Sequence, residues 1–180
     1  LSFLRRDEIA YQGYFPYEHS TIGDMADLRA ASLADVRAFH DRYYAPDNAV
    51  LSVAGDFEPA QLMEMVQRHF AMIAPRRAPA WQDPGFTAQT AERTDTMTDP
   101  QAQLPAFHAV WHIPARRTPD HYALEVLGAV LGMGESSRLH QELVKTREIA
   151  SEVNVYTEDR RGPDLFGVWC LVAQGHTGAE

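Results

Sequence analysis

The chain has 180 residues, 45% of them hydrophobic, and a formal net charge of −9. This length allows one domain or two small ones. The acidic balance argues against a nucleic-acid partner, because binding phosphates requires a basic surface. The single cysteine, Cys170, excludes an internal disulfide and a thiolate-rich metal site. No apolar run reaches the roughly 18 residues that predict a membrane span. We therefore expect a globular chain.

The first half predicts helices on either side of one short strand. Ser32 and Asp35 have the spacing of a capping box, which starts a helix over residues 33–44. Pro46 then ends the helix, because proline cannot donate a backbone hydrogen bond. The apolar run at 49–54 is too short for a helix and has the length of a strand covered on both faces.

The middle of the chain predicts a helix, a linker and two strands. The helix covers residues 58–73, and the proline-rich stretch at 74–88 is predicted to be a linker. Residues 89–98 are polar and predict an exposed edge strand. The strand at 106–113 alternates strictly, so Phe107, Ala109, Trp111 and Ile113 are predicted to face away from His108, Val110 and His112.

The last third predicts two helices followed by a hairpin. Thr118 caps the first helix, Ser136 is the predicted cap of the second, and strands at 151–157 and 165–173 form an antiparallel pair. The turn between these strands, at 158–161, is predicted to be solvated. The predicted inward stripe of the first helix consists of Ala123, Leu124, Leu127, Val130 and Leu131. This order predicts an α+β fold, with helices packed on one face of a mostly antiparallel sheet.

The eight histidines invite a metal hypothesis that their spacing does not support. His108 and His112 lie on a predicted strand, where four residues separate side chains by about 13 Å. Two nitrogens that each lie about 2.1 Å from one zinc ion cannot be so far apart. His40 and His69 are expected to be partly buried helix residues, and His140 lacks a second histidine one turn away. No H-E-x-x-H or H-x-x-E-H motif occurs, so we assign no catalytic, cofactor-binding or metal-binding residue.

Four motifs, in the same order along the chain, carry a family resemblance. They are F-P-Y-E-H-S-T-I-G at 15–23, Y-Y-A-P-D-N-A-V-L-S-V-A-G-D-F at 43–57, L-G-A-V-L-G-M-G-E-S-S-R-L at 127–139 and L-V-K-T-R-E-I-A-S at 143–151. Together they resemble the pitrilysin, insulinase and mitochondrial-processing-peptidase superfamily of zinc peptidases, and most of all its bacterial two-domain members.

The resemblance implies repeated α+β domains that close around a chamber for extended peptides. It implies zinc in the parent protein and none in this chain, because the H-x-x-E-H motif is expected before Leu1. The chain would then be a segment of a longer protein. Residues 1–73 would end the metal-bearing domain, 74–88 would be the linker, and 89–180 would begin the non-catalytic, or inactive, domain.

The resemblance also locates a departure from the family. Many members hold the substrate peptide with an arginine and a tyrosine seven residues apart, and the matching positions here are Val144 and Ser151. Neither side chain can do the same work. The parent protein is therefore expected to carry the zinc motif and to rely on a partner subunit for the arginine and tyrosine.

These expectations combine into one predicted function and two alternatives. The chain is expected to form chamber wall and interdomain connection in a zinc metalloendopeptidase of the bacterial periplasm or cytoplasm, and to be inactive alone. Its expected partners are a peptide substrate and a second peptidase-like subunit or another copy of itself. The alternatives are a piece of a non-peptidase assembly subunit and a module that binds peptides along the edge strand at 89–98.

Overall fold

The computed structural model describes residues 2–180 and has the predicted α+β class. Its packing defines two compact units, one made of residues up to His19 together with Gly85–Glu180 and the other of Ser20–Pro84. The α-helices are α1 (Ser2–Ala10), α2 (Phe15–Glu18), α3 (Met25–Ala30), α4 (Leu33–Tyr43), α5 (Pro59–Phe70) and α6 (Pro119–Gly132). The strands are β1 (Ala106–Ile113), β2 (Ala150–Thr157) and β3 (Asp164–Val172), and a π-helix covers His140–Thr146.

The three strands form an antiparallel sheet in the order β1-β3-β2. The β2–β3 hairpin predicted from the sequence is confirmed, and β1 pairs with the other side of β3. His108 lies opposite Trp169, and Val155 lies opposite Val168. Because side chains alternate along each strand, these two pairs lie on opposite faces of the sheet.

Helices cover both faces of this sheet. The ring of Phe3 in α1 lies 4.7 Å from that of His108 and 6.3 Å from that of Trp169. On the other face, α6 packs against β2, and Gly132 lies directly on Val155. A Cβ atom built on Gly132 would lie 2.7 Å from the backbone nitrogen of Val155, so only glycine permits this approach.

The two faces of β1 differ in burial from what its alternation suggests. Phe107 and Trp111 are 46% and 56% exposed, whereas His108 and His112 are half-buried. The sequence predicts that both histidines lie on a face open to solvent or to an interface. The first of these alternatives is wrong, because both side chains are half-buried. Phe3 of α1, Tyr11 and Phe86 cover the histidine face, while α6 lies over β2 and leaves β1 open on the other face.

The buried face of α6 also differs from its predicted apolar stripe. Ala123, Leu127 and Val130 are exposed, and the buried positions are His121, Gly128 and Gly132. Glycine has no apolar side chain, so it does not contribute to an apolar stripe along a helix. Apolar periodicity therefore does not identify a helix face that packs through close approach of the backbone at glycines.

A small aromatic core lies at the junction of α1, α2 and β3. It consists of Ala10, Tyr11, Tyr14 and Leu165, with Tyr17, Phe86 and Val110 packed against it. Tyr11 contacts the rings of Tyr17, Phe86 and His112. The first residues of the chain are therefore fixed to the sheet through aromatic contacts.

The helical unit, Ser20–Pro84, confirms where its two longer helices begin, although α5 ends at Phe70, three residues before the predicted end. Ser32 and Asp35 form the capping box of α4, and α5 begins at Pro59. The predicted strand at 49–54 is wrong, because these residues have no strand partner among residues 2–180. Val50 is 96% exposed instead of covered on both faces. An extended segment becomes a strand only when a neighbour accepts its backbone hydrogen bonds.

The stretch between α5 and β1 is irregular. Residues 74–88 form neither helix nor strand, and 89–98 also lack the predicted edge strand. Within the described part of the chain, the sheet edges are β1 and β2. The division into 1–73, 74–88 and 89–180 as parts of two related domains stays a prediction.

Candidate functional site

The two positions matched to the substrate-holding pair lie on consecutive elements. Val144 is half-buried in the π-helix, and Ser151 is exposed near the start of β2. The Ser151 hydroxyl donates a hydrogen bond to the Leu171 carbonyl at 3.1 Å. Val144 has no polar atom in its side chain and the Ser151 hydroxyl is already engaged, so this pair offers no free donor. The assignment of no catalytic residue stays a prediction.

The backbone around these positions is irregular. The Arg147 amide donates to the Glu142 carbonyl at 2.9 Å, which is the five-residue spacing of a π-helix. Glu148 has a φ of 56°, and the register of β2 shifts between Ala150 and Glu152. Single π-turns often occur at functional sites. The irregular backbone therefore coincides with the segment that the resemblance identifies as functional.

The helix before β2 begins later than predicted. Helical geometry starts at Arg138 and becomes a π-helix at His140, so the predicted cap at Ser136 lies two residues before it. The Gln141 amide side chain donates to the Glu135 carbonyl at 2.7 Å and fixes the loop that precedes the helix.

A buried ion-pair network joins α1 to the β2–β3 loop. The Arg6 Nη2 atom lies 2.6 Å from Asp7 Oδ1 and 2.7 Å from Glu158 Oε1. Arg160 Nη2 lies 2.8 Å from Asp7 Oδ2, and Arg6 also donates to the Tyr156 hydroxyl. The prediction of a solvated turn is wrong for Glu158 and Arg160. Sequence analysis missed the network because its partners lie about 150 positions apart.

The charges in this network stabilise one another. Burial alone would lower the pKa of Arg6, but Tyr156, Asp7 and Glu158 outweigh burial, so the pKa of Arg6 is raised. Burial would also lower the pKa of Arg160, but the hydrogen bond and the negative charge of Asp7 raise it, so the pKa of Arg160 is raised as well. Both guanidinium groups therefore stay charged at any pH at which the fold persists.

Two tyrosines enclose Arg160 from the side of α1 and α2. Its guanidinium carbon lies 4.8 Å from the ring centre of Tyr11 and 4.9 Å from that of Tyr17. The Tyr11 hydroxyl donates to the Pro163 carbonyl at 2.9 Å, and the Gly162 amide donates to the Tyr17 hydroxyl at 2.8 Å. Burial, the largest cause, raises the pKa of Tyr11 far above its ordinary value. The hairpin loop is thus held against the beginning of the chain.

His121 is a second buried ionisable group next to the same loop. It is 1% exposed, and its Nδ1 atom lies 3.6 Å from Asp164 Oδ2. Its Nε2 atom lies 3.4 Å from Glu125 Oε1 and 3.9 Å from Asp159 Oδ1. Asp164 accepts hydrogen bonds from the backbone amides of Arg160 and Leu165. His121 therefore lies where the start of α6 contacts the β2–β3 loop.

A shallow cavity of about 320 Å³ opens beside edge strand β2. It is lined by Phe3, Asn154, Tyr156, Thr157, Glu158 and Trp169. Three of the six lining residues are aromatic, and Glu158 is bonded to Arg6. The cavity therefore combines aromatic surface with polar side chains, and its carboxylate is already paired with a cation.

The histidines do not assemble a zinc site. The ring of His108 packs against Phe3, and that of His112 packs against Tyr11 and Phe86. Throughout residues 2–180, no group of three or more His, Cys, Asp or Glu side chains has the geometry to hold a metal ion. The donor set does not fit the zinc that the resemblance implies for the parent protein.

The remaining candidate histidines lie apart. His40 and His69 are exposed on α4 and α5, which corrects the prediction that they are partly buried, and His140 is half-buried in the π-helix. The exposed ring of His40 stacks on that of Tyr44, with ring centres 5.1 Å apart. The helical unit buries few side chains, so helical periodicity there does not translate into burial.

Comparison with known proteins places these features in a family context. The model of the peptidase M16 inactive domain matches residues 30–178. A zinc protease named PqqE from Helicobacter pylori is 32% identical over 155 residues, which cover 85% of this chain and 35% of that protein. The crystal structure of a protease from Helicobacter pylori superimposes with a TM-score of 0.78 at 27% identity, covering 97% of this chain and 42% of the other.

A further relative is not named as a protease. Subunit 1 of the mitochondrial cytochrome b-c1 complex from Bos taurus is 30% identical over 130 residues, covering 68% of this chain and 25% of that subunit. The chain spans about a third of the length of the curated zinc proteases it matches, 35% and 32% for two of them. No helix within residues 2–180 combines the length and apolarity needed to cross a bilayer.

Proposed function

Because this chain belongs to the M16 peptidase family and matches its inactive domain, we propose that it is a non-catalytic part of a zinc metalloendopeptidase. In this proposal the chain forms wall of the peptide chamber and connects neighbouring domains. The zinc is held by residues of the parent protein that this sequence does not contain. The parent protein is bacterial and works in the periplasm or the cytoplasm.

The observation that carries the proposal is the family match together with the chemistry of the described residues. The match identifies the inactive domain, and the homologues are named zinc proteases. The charged side chains that join α1 to the β2–β3 loop pair with one another in the network around Arg6 and Arg160. Their pairing supports a scaffold, because a catalytic base or nucleophile has to remain accessible to substrate.

The occupants of the substrate-holding positions support a division of labour between subunits. Val144 and the engaged hydroxyl of Ser151 cannot hold a peptide as an arginine and a tyrosine do. We therefore assign peptide holding to a partner subunit and the zinc motif to the parent protein. An H-x-x-E-H motif missing from the parent protein would contradict this assignment.

The test is metal analysis of the purified 180-residue chain after dialysis against buffer containing zinc. We expect far less than one zinc per chain and no cleavage of a quenched fluorescent peptide. Adding a zinc-bearing domain of a relative that contains H-x-x-E-H provides the positive control. One tightly bound zinc per chain, or cleavage by the chain alone that a chelator abolishes, would overturn the proposal.

A second candidate function is assembly without peptidase activity. The similarity to a subunit of the cytochrome b-c1 complex supports it. The sequence of the parent protein separates the two candidates, since an assembly subunit needs no H-x-x-E-H motif. The third candidate, a peptide-binding module, loses its proposed edge strand at 89–98. Titrating an extended peptide against the chain would show whether β1 or β2 replaces that edge.

A further inference from the structure

Two histidines lie in the aromatic layer between α1 and the sheet. The His108 ring meets Phe3 edge-on with ring centres 4.7 Å apart, and the His112 ring lies 5.5 Å from Tyr11 and 4.9 Å from Phe86. Both ring nitrogens of His108 and Nε2 of His112 are buried without a hydrogen-bond partner. The His108 ring thus acts as an apolar surface in this layer, and the His112 ring keeps one hydrogen bond, to the Ala10 backbone at the end of α1.

We propose that α1 is an acid-released strap, which covers the sheet while His108 and His112 are neutral and detaches when they gain protons. A neutral imidazole packs against aromatic rings at little cost. A charged imidazole in the same position loses its hydration and gains no hydrogen bond in return.

The charged groups around the two rings favour the neutral form. Arg6, on α1, is a cation that acts on His108, and Arg93, from the irregular stretch between α5 and β1, is a cation that acts on His112. The acids beside this layer, Asp7 and Glu158, are already bonded to Arg6. No carboxylate among the described residues lies within ion-pair distance of either ring.

The other ionisable groups of the layer are tyrosines. Tyr11 comes from the chain just after α1, and Tyr156 comes from β2, where it receives a hydrogen bond from Arg6. Burial, its largest cause, raises the pKa of Tyr156, so its hydroxyl stays neutral in mild acid. Neither tyrosine therefore supplies the negative charge that a protonated histidine would need.

The direction of the pKa shifts agrees with the geometry. Burial first, and the charge of Arg6 second, lower the pKa of His108. Burial and Arg93 lower that of His112 against an opposing hydrogen bond with the Ala10 backbone. The docked pKa values lie below the released ones, so the docked state is favoured at neutral pH and loses that advantage as the pH falls below about 6.5.

The size of the effect follows from the ordinary pKa of histidine. At pH 5.0, a histidine with its ordinary pKa is almost fully protonated once α1 is released. If the same histidine stays neutral while α1 is docked, its protonation shifts the equilibrium between docked and released α1 toward release by up to about 30-fold. The two residues act on the same helix, so even partial protonation in the docked state leaves a measurable change. We expect release of α1 to increase at least about tenfold between pH 7.5 and pH 5.0.

Amide hydrogen exchange of the full chain, corrected for the intrinsic pH dependence of exchange, tests the strap. We expect protection of residues 2–10 to fall at least about tenfold between pH 7.5 and pH 5.0. Protection of α4, which lies in the other unit, should stay within twofold. The double variant His108→Gln/His112→Gln should lose the pH dependence in α1, because glutamine takes up no proton.

Two further variants keep the test decisive. If the double variant fails to fold, His108→Phe takes its place. This substitution preserves an aromatic surface beside Phe3 and should remove part of the pH dependence. His40→Gln/His69→Gln changes two exposed histidines and should leave the wild-type response intact. Equal protection of α1 at both pH values, or a pH response that survives in folded variants lacking both histidines, would overturn the proposal.

Discussion

The sheet unit, made of residues up to His19 and Gly85–Glu180, differs from the helical unit in what holds it together. In the sheet unit, Tyr11, Val155 and Leu165 are almost fully buried by contacts between distant parts of the chain. In the helical unit, Leu33 and Phe39 are 63% and 57% exposed, although their helix has a complete capping box. Local signals therefore suffice to define where a helix begins, but burial requires a partner surface.

The largest expected effect comes from filling the contact between α6 and β2. Gly132→Ala places a Cβ atom against the side chain and backbone nitrogen of Val155, and a backbone atom cannot shift without moving its strand. We expect a loss of about 3 kcal/mol in the free energy of unfolding, reduced only slightly by the better helix propensity of alanine. Urea denaturation followed by circular dichroism measures it.

Gly128→Ala is the matched control in the same helix. A Cβ atom there would lie 3.6 Å from its nearest neighbours, which is an ordinary contact. We expect no loss of stability and a gain of up to about 1 kcal/mol from helix propensity. Equal destabilisation by both substitutions would show that close approach at Gly132 does not hold α6 on the sheet.

The second largest effect is expected in the network that fixes α1 to the hairpin loop. Arg6→Met keeps much of the side-chain volume but leaves Glu158 with only the longer contact, 3.6 Å, to Arg160. We expect a loss of about 2 kcal/mol, less than for a fully isolated buried pair because Asp7 keeps its bond to Arg160. Thermal unfolding at neutral pH provides the measurement.

Arg5→Met separates this effect from loss of a surface charge. Arg5 also forms ion pairs, with Glu8 and Asp95, but its side chain is 48% exposed. We expect no measurable change in the unfolding temperature, because exposed ion pairs contribute little to stability. If the two arginine variants lost the same stability, the buried network would not be what holds α1.

The sequence predicts most of the elements because their signals are local. Thr118 and Ser32 cap their helices as expected, and the hairpin of β2 and β3 forms. The segments 49–54 and 89–98 have strand-like patterns and yet form no strand. Alternation and apolar content indicate that a segment prefers an extended backbone. A strand forms only when a neighbouring strand pairs with that segment, and the pattern of the segment does not show whether such a neighbour exists.

The candidate site is less predictable than the elements. The ion pairs of Arg6 and Arg160 connect residues about 150 positions apart, and no local pattern relates them. The buried face of α6 could have been found, because Gly128 and Gly132 are four residues apart and lie on one side of a helix. The family motifs did identify the segment in which the π-helix occurs, although they carry no information about its geometry.

A smaller effect compares helix caps in the two units. Ser32→Ala removes the acceptor of the Asp35 amide, and Thr118→Ala removes that of the His121 amide. Each substitution should cost about 1 kcal/mol. Because α6 packs on β2, we expect reduced hydrogen-exchange protection in Thr118→Ala to reach the sheet. In Ser32→Ala it should stay within α4, and a loss of sheet protection there would contradict the comparison.

The smallest expected effect is the pH dependence of the α4 cap. Hydrogen bonds from the Ser32 hydroxyl, and then from its backbone amide, lower the pKa of Asp35. The folded pKa therefore lies below the unfolded one, so the cap stabilises α4 above the ordinary aspartate pKa and loses that contribution as the pH falls through the lower folded value. An NMR titration of the Asp35 carboxyl carbon should give a midpoint below the ordinary value, and Ser32→Ala should move it upward. A midpoint that the substitution leaves unchanged would mean that the capping box does not order this exposed helix in solution, and the contrast between local ends and distant packing would then have to rest on α6 alone.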